Sequence, residues 1–114
     1  MRLAIATAAL LAAAALPSWA QPPRPVPEAY ARADKGHCGA CHQLPAGLGA
    51  PTRSDLGPAL AGARMRGLGA AALRALLDDP TRANPDTVMP PFGRHRILDK
   101  AEIDRLVEFL LALP

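Results

Sequence analysis

Cys38-Gly39-Ala40-Cys41-His42 is the stretch on which the reading of this chain turns. Two thiols three residues apart, with an imidazole beside the second, match the Cys-x-x-Cys-His pattern of c-type haem attachment. The spacing has a physical reason. Each thiol can form a thioether to one of the two vinyl groups of a single haem, and the adjacent imidazole then lies beneath the iron as its proximal ligand. A bare Cys-x-x-Cys also serves dithiol exchange and zinc sites. Dithiol exchange needs a βαβ setting and a closed zinc site needs a second ligand pair, and the sequence offers neither. A haem-free dithiol or metal-binding module is therefore the weaker reading, and a haem stain that survives denaturing electrophoresis separates the two.

Upstream of the motif, Arg2, the apolar run from Leu3 to Leu16 and the segment Pro17-Ser18-Trp19-Ala20 read as a secretory signal, residues 1–20, cleaved after Ala20. The run before Pro17 falls short of the roughly 20 apolar residues that span a bilayer, so no membrane span is expected in the mature chain. Export to the periplasm is expected instead. Residues 21–27, with Pro22, Pro23, Pro25 and Pro27, form a stiff Pro-rich leader, and 28–114 form one domain.

Of the 114 residues, removing the signal leaves 94, with 25 apolar side chains larger than alanine and only Tyr30, Phe92 and Phe109 aromatic. Domains of this size usually need staples, metals or cofactors. A Cys38–Cys41 disulfide would close too small a loop to constrain the chain, so the haem is expected to fill the core and the haem-free chain to be largely unfolded. A formal net charge of +3 on interspersed charges does not describe a nucleic-acid arm. The periodic apolar segments argue against disorder.

Downstream and upstream the signals are helical, with no strand pattern and no internal repeat. Pro27, Glu28 and Lys35 suit the start and end of a short helix from about 27 to 35, closed by Gly36. A Gly- and Pro-rich loop covers 44–57. Leu73, Leu76 and Leu77 share one face of a helix from Gly69 to Asp79, which Pro80 stops. Residues 84–93 travel as a loop. Asp99 and Glu102 form a capping box before the stripe Ile103, Leu106, Val107 and Leu110. The fold class is all-α, with about three to four helices around one covalently bound haem.

A haem iron with one histidine needs a sixth ligand to transfer electrons without binding small molecules, and Met65, Met89, His37 and His95 are the candidates. Met89 lies in Thr87-Val88-Met89-Pro90-Pro91-Phe92-Gly93, where prolines stiffen the backbone, and is favoured over a gap-filling core role. His37 adjoins an attachment cysteine and does not easily reach the far face. His95 between two arginines reads as surface, and Met65, also between arginines, as a partly exposed side chain. Arg94 and Arg96 read equally as solvated charge, or as groups facing haem propionates or an acidic partner. His42 needs an acceptor for its other ring nitrogen to fix tautomer and orientation; the Pro58 carbonyl in Gly57-Pro58-Ala59-Leu60 is the expected one.

These elements resemble class I c-type cytochromes along nearly the whole mature chain. Within that class, Asn84-Pro85-Asp86-Thr87-Val88-Met89-Pro90-Pro91-Phe92-Gly93-Arg94-His95 resembles the SoxX family, the small monohaem subunit of the SoxAX sulfur-oxidation cytochrome. The resemblance implies a heterodimer with a SoxA-type cytochrome, whose cysteine-ligated haem joins thiosulfate to a cysteine of the SoxYZ carrier as an S-thiosulfonate. The SoxX-like chain passes the electrons to a soluble cytochrome c. It implies haem c on Cys38 and Cys41, His42 and Met89 as axial ligands, and no catalytic residue on this chain. A general monohaem carrier for another oxidase or reductase shares every one of these ligands, and only the wording of the Met89 loop separates the two.

Overall fold

The computed structural model describes residues 24–52 and 54–114; the expected signal segment, residues 1–20, and the first part of the leader lie outside them. Residues 24–27 carry no regular secondary structure and lead, through Pro27 in an extended conformation, into helix α1, Glu28–Ala31, and a 3₁₀ turn at Cys38–Ala40 follows. Helix α2 spans Gly62–Asp78, a second 3₁₀ turn Pro80–Arg82, and helix α3 Lys100–Leu111. The described residues contain no strand, as the sequence implied. None of their helices is long and apolar enough to cross a membrane.

Helix α3 is set by its own sequence. The Glu102 amide donates to the Asp99 carboxylate at 2.7 Å and the Asp99 amide to the Glu102 carboxylate at 2.9 Å, which satisfies two orphan donors of the first turn. Its stripe, Ile103, Leu106, Val107, Phe109 and Leu110, is buried, with Leu73 and Leu77 of α2 in the same core. Arg74 and Asp104 close the α2–α3 seam at 2.8 Å. Helix α1 docks on α3 through an edge-on ring pair, Tyr30 and Phe109, with centroids 6.0 Å apart, worth about 0.5–1.5 kcal/mol beyond area burial.

Two helix boundaries differ from the expectation. The first helix ends at Ala31, not near 35, because Arg32 is extended (ψ 134°) and its guanidinium grips Asp34 two residues on, at 2.8 and 2.6 Å. Lys35 does not complement the helix end; its ammonium reaches Glu102 of α3 at 2.7 Å. The second helix begins seven residues before Gly69, which interrupts it at φ 83°, ψ 163°, a backbone state open to glycine. The segment ahead of Gly69 has no apolar stripe to betray it. It is held from a distance: Arg66 donates to the carbonyls of Leu113 at 2.8 Å and Leu111 at 3.3 Å, and the Gly62 amide donates to Pro114 at 2.9 Å.

Candidate functional site

The turn through Cys38–Ala40 aims two thiols and an imidazole at one crevice. The His42 amide donates to the Cys38 carbonyl at 2.8 Å, so the histidine follows directly from the turn that carries the cysteines. Entry to that turn runs through His37 in the left-handed region (φ 47°), and the Gly36 amide donates to the Ala29 carbonyl at 2.9 Å. Both cysteines are free and half-buried. Burial pushes the Cys38 thiol up to about 11, so the thiol persists at neutral pH.

Two contacts fix His42. Its Nδ1 lies 2.7 Å from the Pro58 carbonyl oxygen. A carbonyl can only accept, so Nδ1 carries the proton and Nε2 keeps its lone pair, the tautomer a metal needs. The Tyr30 hydroxyl donates to the His42 main-chain carbonyl at 2.8 Å. Burial, more than the nearby Cys38 thiol, raises the Tyr30 hydroxyl to about 12, which keeps it a donor. Gly57 lies flat against the imidazole, where a Cβ would collide with the ring. Its amide donates to Cys41 at 3.0 Å, and the Leu60 amide to Gln43 at 2.8 Å, which brings the Gly57–Leu60 segment across the back of the motif.

Cys38, His42, Pro58 and Met89 together line two adjoining cavities of about 360 and 170 Å³. The larger opens past Leu56 and Val88, which are 69% and 77% exposed; the smaller runs inward to Leu73, Leu77, Leu106 and Leu110. The walls suit a flat, largely apolar macrocycle, and among the described residues Arg64 is the only arginine or lysine along them. Among the described residues no cluster of three or more His, Cys, Asp or Glu could hold a metal ion. A haem would fit these residues: the Cys38 and Cys41 thiols would hold its porphyrin covalently, and the His42 imidazole and the Met89 thioether, which line the same cavity, are the groups that could bind its iron.

The structure thus gathers Cys38, Cys41, His42, Pro58 and Met89 about one crevice. His37 lines its outer part, and His95 is exposed away from it. Met65 differs from the expectation of a partly exposed residue: it is 4% exposed and lines the inner cavity with Met89, because this face of the unrecognised first half of α2 turns inward. Arg94 is not simply solvated, since its Nη1 lies 3.3 Å from Asp79. Tyr30 and Gly57 join the site through their contacts with His42. Tyr30 carries no local signal for a partner twelve residues on, whereas the Gly-Pro pair at 57–58 does mark a place where backbone approaches closely.

Comparison with known proteins gives one match: the family described as cytochrome c covers residues 27–114. No curated protein and no solved structure matches the chain.

Proposed function

From the premise that this chain belongs to the cytochrome c family, and so is a monohaem electron carrier with covalently bound haem c, we propose that it is the SoxX-type subunit of a SoxAX complex in thiosulfate oxidation. Cys38 and Cys41 carry the thioethers, and His42 and Met89 are the axial ligands, with the Pro58 carbonyl orienting His42. The observation that carries the ligand set is His42 and Met89 on one crevice, the imidazole with its Nδ1 proton engaged by Pro58 and its Nε2 lone pair free. When bound, the haem supplies a one-electron couple, and a neutral thioether ligand favours a raised potential, which suits an acceptor of electrons from thiosulfate. Met89→His should lower the midpoint potential substantially; an unchanged value contradicts Met89 as a ligand.

The pathway assignment rests on the Met89 loop wording from Asn84 to His95 and on the absence of a third cysteine in the sequence, which leaves sulfur chemistry to a partner. The exposed apolar rim at Val88 and Leu56 offers that partner a contact next to the cofactor. The protein is exported to the periplasm with its signal removed, binds a SoxA-type cytochrome, serves SoxYZ through that complex and yields electrons to a soluble cytochrome c. Expression with its genomic neighbours and affinity purification of this chain tests the reading. Co-purification of a second haem-bearing cytochrome supports it, while a monomer that reduces unrelated oxidases favours a general carrier.

A further inference from the structure

We propose that Asp79 is a positioning residue that clasps the base of the loop carrying Met89 and thereby holds that thioether in the crevice; the inference rests on Met89 being the distal ligand. Asp79 is the only charged residue buried among the described ones, at 4% exposure. It lines neither cavity of the site, so any influence on the iron runs through the loop. Its Oδ1 accepts from the Thr81 hydroxyl at 2.5 Å and the Thr81 amide at 3.2 Å, and its Oδ2 faces Arg94 Nη1 at 3.3 Å and Arg82 Nε at 3.5 Å. One carboxylate therefore ties the first residues of the loop to the residue that ends it.

The backbone repeats the closure. Gly93 and Arg94 donate to the carbonyls of Leu77 and Asp78 at 3.2 and 3.0 Å. Gly93 lies so close that a Cβ there would stand 3.0 Å from the Asp78 Cα, which no side chain permits without a shift. Between these ends the loop is internally stiff: Asn84 Oδ1 accepts from the Asp86 amide and Thr87 Oγ1 from the Met89 amide, both at 3.1 Å, and Pro80, Pro85, Pro90 and Pro91 fix their own φ angles. A segment with little internal slack swings mainly at its base. A thioether is a weak donor that stays bound by being held near the metal, so its release is governed by opening at Asp79.

The test uses ferric holoprotein with imidazole as probe, which takes the distal position only when the thioether leaves. Asp79→Asn keeps the shape and the Thr81 bonds but removes the charge facing both arginines. It should raise imidazole affinity about tenfold, as expected for loss of charge-assisted contacts, with helical circular dichroism unchanged. Arg94→Gln, at a side chain 60% exposed and outside the core, should act in the same direction and add little in the Asp79→Asn background. Wild-type imidazole affinity in both single variants overturns the clasp, as does a rise that merely tracks global unfolding in urea. Met89→Ala separates the two layers of the reading. If it retains the sulfur-to-iron charge-transfer band, ligation by Met89 fails and the clasp with it. If the band is lost while Asp79→Asn and Arg94→Gln both bind imidazole like wild type, the clasp alone fails.

Discussion

The two sides of the crevice are built on opposite plans. On the His42 side every restraint touches the proposed ligand residue itself: Pro58 holds the ring nitrogen, Tyr30 the main-chain carbonyl and Gly57 the ring face. On the Met89 side the restraints sit at the base of a loop, ten residues from the proposed ligand at Asp79 and five at Arg94. A strong nitrogen donor needs its tautomer and angle set, and direct contacts do that. A weak sulfur donor needs only to be kept near, and a closed loop does that. The plan also assigns the restraints to different chemistry, neutral hydrogen bonds on one side and an ionised carboxylate on the other.

The largest expected effect removes the object both sides hold. A Cys38→Ala, Cys41→Ala double variant should lose covalent haem and most of its helical circular dichroism, because the leucines of α2 and α3 that line the inner cavity would face water or collapse into it. Full native helicity in that variant would mean that the polypeptide core is self-sufficient. Next in size, Gly57→Ala places a methyl group against the His42 ring and forces it off the Pro58 carbonyl. An overpacking cost of roughly 1–3 kcal/mol and an altered low-spin spectrum are expected, with urea denaturation and optical absorption as the measurements. A variant with unchanged spectrum would show that the ring has room and that the direct-contact plan is wrong.

Tyr30→Phe is the milder probe of the same side. It keeps the ring edge against Phe109 and deletes only the donor to the His42 carbonyl. A loss of about 1 kcal/mol in urea stability is expected for one net hydrogen bond, and no loss would place water in the hydroxyl's role.

Local signals make the His42 side legible from the sequence. The Cys38–His42 motif and the α3 capping box each depend on residues within a few positions of one another or on a cofactor whose chemistry fixes the spacing, and the Pro58 carbonyl, though 16 residues from His42, is marked by its own Gly57-Pro58 pair. What escaped depends on distant partners. The first half of α2 is held by Arg66 on the carbonyls at the end of α3, some 45 residues away, and carries Met65 inward with it. The same is true of Tyr30 and of Lys35, which left the first helix to meet Glu102. Asp79 carries one local signal, since an aspartate before proline with a threonine two residues on favours a side chain bonded to its own backbone, whereas its pairing with Arg94 across the loop has none.

The smallest effect sharpens the contrast through pH. Hydrogen bonding from the Thr81 hydroxyl, helped by the Thr81 amide and by Arg94 and Arg82 against the opposing effect of burial, holds the Asp79 carboxyl below its usual 3.8. Its folded value thus lies below the unfolded one. The stability it lends is complete above about pH 4 and is lost as pH falls through the folded value. The pairs Lys35–Glu102 and Lys100–Asp104 weaken over a similar acid range and loosen α3 as well, so acid alone does not isolate the loop. Comparison with Asp79→Asn does: as pH falls below about 4, affinity for neutral imidazole, corrected for the probe's own protonation, should rise slightly in the wild type relative to the variant, whose clasp has no charge left to lose. Parallel curves for the two proteins would mean that the Met89 loop is held by its backbone closure at Gly93 and Arg94, and that both sides of the crevice rest on neutral bonds after all.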